Sequence, residues 1–274
     1  MKFARGFKYN GHSSYEKDLI IVNDSDNVDY NIGLEREIIT GNTNHARYEA
    51  FGLSSKYSSM LEISFTVIKN PDYHINDVEF TREEVREITA WLTSPTIPML
   101  LSFDDPDEDP VLPVDYFGNF TNVQSFTVRG VYGLKLTFLC SSPWGYSREY
   151  VYSSTITESG NLTIENTSDD WNVPVYPYIT IVPAEHGQIT IENITDNGSF
   201  SFNCERNITT YIDCRRLMVS DDTNLISFRD LGWTTDTLDT LYWPRLIHGT
   251  NKFKITGNCT IEMKCRFPRK VGEV

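Results

Sequence analysis

The sequence predicts a mainly β protein in two domains, with a single α-helix laid on the first and a β-sandwich as the second. Three observations lead there. One window, 81–93, has helical periodicity in a chain otherwise written as short period-two runs. Turn residues recur at regular intervals through 149–274. No run of about 18 apolar residues exists, so no segment reads as a membrane helix.

The elements follow in order. Residues 19–22 are a short apolar strand and 30–39 a looser one. Residues 60–68 alternate, with Leu61, Ile63, Phe65 and Val67 on one face. Thr81 is placed as a helix N-cap, and Glu84 three residues on completes a capping box, each side chain satisfying a backbone amide at the helix start. Phe80 and Val85 have staple spacing. Val85, Ile88, Trp91 and Leu92 share a helical face, and Ser94-Pro95 ends the helix. Residues 98–103 are a buried strand running into an acidic loop. Residues 118–129 and 133–140 form a strand pair around a turn at 129–133, and turn-rich 141–147 closes the first domain. This gives domains of 1–148 and 149–274.

In the second domain the strand candidates are 150–156, 161–165, 176–182, 188–193, 199–203, 209–212, 217–220, 246–248, 251–256 and 259–267. No helical period competes with them, so a β-sandwich is expected.

Composition narrows the function classes. At 39% hydrophobic and 13% aromatic the chain is globular rather than disordered. Net charge is −14. Residues 1–150 carry 13 basic and 22 acidic side chains, and residues 151–274 carry 11 and 16. Both halves repel nucleic acid, which excludes a DNA-clamping surface. The first eleven residues have no apolar core, so a signal peptide is not expected. Eight Asn-x-Ser/Thr triplets, at Asn23, Asn119, Asn161, Asn166, Asn193, Asn197, Asn207 and Asn258, then reflect a Thr/Asn-rich β composition rather than glycan sites. Five cysteines, odd in number and without a Cys-x-x-Cys pair, suit buried reduced thiols better than zinc. No cofactor and no metal are expected.

Two groups of residues stand out as candidate sites. Asp104, Asp105, Asp107, Glu108 and Asp109 place five carboxylates in six positions. Calcium takes many oxygen ligands, but this run lacks the spaced Asp-x-Asp-x-Asp-Gly order and contains Pro106. A solvated connection is the ordinary reading, and a local acidic field or a subunit contact the functional one. Trp233, Tyr242 and Trp243 offer flat rings for stacking on a sugar, or else fill one end of the sandwich core. No Gly-x-Ser-x-Gly elbow or Gly-rich phosphate cradle occurs, and the histidines at 12, 45, 74, 186 and 248 sit in no catalytic context, so no enzymatic activity is expected.

Several segments together resemble the distal tail protein (Dit) family of siphophages, the siphovirus tail component family. Phe7-Lys8-Tyr9-Asn10-Gly11-His12-Ser13-Ser14 is similar to the family's opening aromatic-x-aromatic-Asn-Gly strand. Residues 37–44, Tyr57 and 61–65 resemble its next block. Trp91-Leu92 followed by Leu101-Ser102-Phe103-Asp104-Asp105 resembles its Trp-Leu … Leu-x-Phe-Asp-Asp block, and Ser142-Pro143-Trp144-Gly145 its domain-closing motif. Asn166-Thr167-Ser168-Asp169-Asp170 with 176–181, then 211–214 and 247–253, resemble second-domain strands. Ser168 replaces a glycine of the pattern, and a basic residue usual near Gly41 is missing.

The resemblance implies a virion structural protein of the phage tail tip, assembled in the host cytoplasm. Its first domain would be a tail-tube-like β-sandwich with one helix and its second a galectin-like β-sandwich. Six copies would close a ring, a homo-hexamer, through which DNA passes without specific binding. The partners implied are the major tail protein, the tail-associated hub or lysin protein, and receptor-binding or adhesion proteins. The alternative is a carbohydrate-binding β-sandwich adhesin of the virion, using Trp233, Tyr242 and Trp243.

Overall fold

The computed structural model describes residues 4–22, 36–39, 54–57, 60–74, 78–104, 114–127, 130–227, 229–233 and 241–270. Of the described residues 54% are in strands and 8% are helical, with one α-helix among them, so the mainly β class read from turn spacing is the class the chain adopts. It divides into two compact units, one of Met1–Ser147 with Arg269–Val274, the other of Arg148–Pro268.

In the first unit β1 (Gly6–Tyr9) and β2 (His12–Ser13) form a hairpin. Its turn is Asn10-Gly11, with φ of 50° and 78°, the two positive values that a two-residue turn matching strand twist needs. A 3-10 turn, Ser14–Lys17, leads to β3 (Leu19–Val22). Of the looser strand expected over 30–39, residues 36–39 are β4 (Arg36–Ile39), paired with β5 (Ser54–Tyr57). The rest lies outside the described residues. Then come β6 (Glu62–Lys69), α1 (Arg82–Thr93), β7 (Met99–Asp104), β8 (Val114–Thr127), β9 (Val131–Cys140) and β10 (Gly145–Ser147). The second strand of the expected pair starts earlier than 133, because β9 begins at Val131.

The main sheet runs β2-β1-β7-β8-β9-β6-β3. It curls until its last strand meets the chain leading into its first, where Ile21 N donates to Arg5 O at 2.9 Å. Alternate residues of each strand face one core: Phe7 and Tyr9, Leu61 to Val67 at every second position, Leu101, Phe120, Leu134, Leu136 and Phe138. The chain returns at its far end, where β20 (Pro268–Arg269) pairs with β10.

Helix α1 closes the curl. The capping box forms as read: Thr81 N donates to Glu84 Oε2 at 2.7 Å and Glu84 N to Thr81 Oγ1 at 3.2 Å. Ile88 and Leu92 are buried, and Val85 and Trp91 pack against the same core. The Trp91 ring stacks on Phe7 with centroids 5.5 Å apart and 12° between planes, and its Nε1 donates to Tyr9 O at 3.3 Å. Glu84 has a second role. Lys69, the last residue of β6, has a side chain only 3% exposed, and its Nζ lies 2.9 Å from Glu84 Oε1. Burial pushes the Glu84 carboxyl up, but the Thr81 amide and the Lys69 ammonium outweigh it and hold the group below the usual carboxylate range.

The second unit is a two-sheet sandwich. Its strands are β11 (Tyr150–Ile156), β12 (Ser159–Asn166), β13 (Tyr178–Pro183), β14 (Gly187–Asn193), β15 (Gly198–Cys204), β16 (Thr210–Asp213), β17 (Met218–Ser220), β18 (Gly249–Thr256) and β19 (Cys259–Cys265). One sheet has the order β11-β19-β13-β16-β17, the other β12-β18-β14-β15. Ile179, Ile181, Ile261 and Met263 of the first face Ile189, Ile191, Phe200, Phe202, Phe253 and Ile255 of the second in one core. All five cysteines are buried. In this unit desolvation raises their thiols, Cys259 to about 11 and Cys265 to about 12.

Three asparagines close one end of this core. Asn166 (1% exposed), Asn193 and Asn251 (both 0%) end or begin the inward rows of three adjacent strands. Their side chains hold 245–249. Asn166 Nδ2 donates to Leu246 O at 3.0 Å, Asn193 Nδ2 to Arg245 O at 2.8 Å, and Asn251 bonds both the amide and the carbonyl of Ile247 at 3.0 and 2.7 Å. Two of the eight Asn-x-Ser/Thr positions, 166 and 193, are therefore interior. Asn119 is also occupied, donating to Pro95 O and Ile97 O at 3.1 and 2.8 Å.

Thr81→Ala removes one cap bond and costs about 1 kcal/mol. Glu84→Ala removes the cap partner and the carboxylate beside Lys69. It costs more, about 2–3 kcal/mol, below the 3–5 of a fully buried pair because Glu84 is partly exposed. The folded-state carboxyl is depressed, so its stabilisation is present above the ordinary value of 4.5 and is lost as pH falls through the lower folded value. Urea unfolding of wild type and Glu84→Gln should show a gap that narrows below pH 4.5.

Candidate functional site

The structure places Asp104 at the exposed end of β7. Its carbonyl accepts from Arg5 N at 3.0 Å, and Tyr15 lies against it. Burial raises the Tyr15 hydroxyl above its ordinary value, and the Asp104 charge adds to the rise. A Cβ on Gly6 would meet the Tyr15 ring at 2.6 Å, so only glycine lets that ring lie across β1. Asp105, Asp107, Glu108 and Asp109 lie outside the described residues. The strands on either side of the loop are tied together: Ser102 and Asp115 are cross-strand partners, and Ser102 Oγ donates to the buried Asp115 carboxylate at 2.7 Å. The connection thus links adjacent antiparallel strands at one rim of the curled sheet.

The structure brings Trp233, Tyr242 and Trp243 together, but facing inward. Trp233 is 8% exposed and donates from Nε1 to Ser201 O at 2.6 Å. Its ring meets Trp243 edge-on at 6.0 Å, and both meet Phe200, at 5.3 and 5.2 Å. Tyr242 packs on the same core and donates to Asp196 Oδ2 at 3.0 Å. Arg245 Nε reaches that oxygen at 2.6 Å and Arg245 Nη2 the other at 3.3 Å. Hydrogen bonds from Arg245 hold the Asp196 carboxyl below its usual range, and burial with the Asp196 charge pushes Tyr242 up to about 12. The rings fill one end of the core, and the Asp196–Arg245 fork locks the segment that carries them.

Another aromatic is far more exposed: Trp171, at 71%, with its ring 5.2 Å from that of His248. Sequence reading missed it, because a lone tryptophan in a turn-rich stretch carries no periodic signal. Beside α1 a small cleft is lined by Lys17, Asp18, Lys69, His74, Glu84 and Glu87. Its charges face one another: Lys17 to Glu87 at 3.5 Å, His74 to Asp18 at 3.5 Å, and Lys69 to Glu84. This pairing ties strand ends to the helix. Among the described residues no cluster of three His, Cys, Asp or Glu side chains is placed to hold a metal ion.

A curled sheet plugged by one helix is followed by a two-sheet sandwich whose polar groups lock its own segments, the build of a mainly β protein in two units. The chain belongs to a phage tail protein family: residues 3–142 match its N-terminal domain and residues 144–265 its C-terminal domain. No curated protein matches the sequence. Among solved structures the chain is similar to the Dit protein (gp 19.1) of phage SPP1, described as a hub of the adsorption apparatus in phages infecting Gram-positive hosts. That match has 15% identity, covers 96% of this chain and 98% of that one, and has a TM-score of 0.61. It is also similar to a chain of the phage P2 baseplate in its activated conformation with calcium, at 12% identity, 97% and 99% coverage and a TM-score of 0.53. The family membership makes the protein a virion tail component, and the SPP1 neighbour shows a Dit-like fold.

Asp196→Ala leaves Arg245 and Tyr242 without their shared acceptor. It should cost about 1–3 kcal/mol and loosen 241–248. Chemical denaturation measures the first effect, and faster amide exchange of 246–249 the second.

Proposed function

We propose that the protein is the distal tail hub subunit of a siphophage, a non-enzymatic structural piece that joins the tail tube to the host-adhesion apparatus. One observation carries this reading: the fold matches a tail-hub protein end to end, through both units rather than one. In this reading six copies close a ring with the first unit around the lumen, and the second unit lies outside. The ring stacks on the major tail protein, receives the tail-associated hub or lysin protein, and carries receptor-binding or adhesion proteins. The subunits assemble in the host cytoplasm.

Charge supports the lumen assignment. Residues 1–150 carry a net −9, and a pore of like charge lets duplex DNA slide without adhering. The carboxylates at 104, 105, 107, 108 and 109 contribute to this field or to the contact between neighbours. A head-to-tail contact repeated about one axis closes a ring without a second interface. The inward packing of Trp233, Tyr242 and Trp243 weighs against these three rings as a sugar platform.

Light scattering and negative-stain imaging of the purified protein, alone and with its hub partner, should give a species of six times the 31.5 kDa chain mass with a central hole. A monomer under both conditions overturns the ring. Neutralising the five acids to Asn or Gln should impair assembly, DNA ejection or infectivity. If all three are unchanged, the loop has no part in it.

A further inference from the structure

The two flanks of the second sandwich are built differently. On one flank the edge strands are β15 and β17, and Ile226, Leu231 and Trp233 bond to them. Asn203 N donates to Leu231 O at 3.0 Å, Trp233 Nε1 to Ser201 O, and Ile226 N to Val219 O at 2.9 Å. On the other flank the edge strands are β11 and β12, consecutive in the chain through Thr157 and Glu158. Among the described strands β11 pairs with β19 alone and β12 with β18 alone.

An exposed edge is a row of unpaired amides and carbonyls, and proteins blunt it with charge, proline, a bulge or brevity. β11 uses none of these. It runs seven residues, Tyr-Val-Tyr-Ser-Ser-Thr-Ile, in unbroken register with β19, with no charged residue and no proline. Its residues are mostly strongly β-favouring types. Val151 is 51% exposed and Tyr150 37%. β12 is less suited, since Gly160 weakens it and Glu165 charges it.

The faces of the two sheets differ in the same sense. Outward residues of the β12 sheet are polar throughout, among them Asn161, Thr163, Lys252, Lys254, Glu192 and Ser199. Outward residues of the β11 sheet include Val151, Tyr178 (41% exposed), Val182 (42%) and Met218 (39%). A strand added beside β11 would extend a half-apolar face.

We propose that the open edge of β11 accepts an extended strand of a partner protein as the sixth strand of its sheet. The occupant that fits is a basic segment with β-branched residues at alternate positions. Charge selects it. Arg148–Pro268 carries 10 basic and 16 acidic side chains, a net −6. Glu149 and Glu158 bracket β11 at its two ends, with Arg266 3.9 Å from Glu149. Two copies of this chain paired edge to edge would bring those acids together, whereas lysine or arginine at the ends of a partner strand would meet them. Main-chain hydrogen bonds supply the affinity, and side chains beside Val151, Ser153 and Thr155 the specificity. This site goes beyond ring formation and does not require it.

The test uses the full chain and overlapping synthetic peptides tiling the other structural proteins of the same virion. Basic, alternating peptides should bind, and binding should slow amide exchange across 150–156. The double variant Val151→Lys/Ser153→Lys, whose side chains are exposed in the fold, should weaken that binding at least tenfold, while Thr163→Lys on β12 should not. The proposal is overturned if no peptide protects 150–156, or if the double variant binds as wild type does. It is equally overturned if protection appears without peptide and grows with protein concentration, which would mean that a second copy takes the edge.

Discussion

The first unit depends on a single joint, the carboxylate of Glu84. A curled sheet with its apolar core on the inner side stays open unless something covers the gap, and here one helix does. Glu84 caps that helix through Thr81 and at the same time supplies the counter-charge for Lys69, whose ammonium is carried into a site 3% exposed by the last residue of β6. Local helix initiation and long-range placement thus rest on the two oxygens of one carboxylate. With α1 fixed there, Trp91 reaches Phe7 and the carbonyl of Tyr9, and the hairpin that starts the chain becomes part of the core. An isolated helix of this length is marginal in water, so the joint and the buried face hold it together.

The second unit meets the same problem of closing an end with polar groups instead of a helix. Asn166, Asn193 and Asn251 each stand where an inward apolar residue is expected from the strand period, and each turns its amide on the backbone of 245–249. A buried amide left unbonded is costly, so these residues fix the segment to one path. The path then decides where Trp243 and Tyr242 go, and the Asp196–Arg245 fork completes the lock. A ring-bearing segment held this way is part of the fold's frame, which explains why its aromatics face the core.

Much of this was legible from residues alone. The capping box, the staple and the apolar face of α1 are local signals, and the period-two rows of β6 and β19 fix which residues are inside. What failed was non-local. Residues 246–248 read as a strand, yet only Leu246 makes a bridge, to Val175, because Asn251 takes both backbone groups of Ile247. The two-residue β2 was too short to carry a pattern. Neither which strands lie at sheet edges, nor which edge is covered, is written in any one strand, since both depend on the order of the sheet. The acidic run was easy to see, but of its five carboxylates the structure describes only Asp104.

The same division applies to function. Motifs in order along the chain point to a tail-hub family, and the fold repeats that order in space across both units. The ring around a channel is the step the account adds. A reconstruction of the tail tip in the intact virion tests it most directly. The account expects six copies about the tail axis, the helix-bearing unit lining a continuous channel and the sandwich outside. A map with this chain off the axis, or with its first unit facing away from the channel, contradicts it.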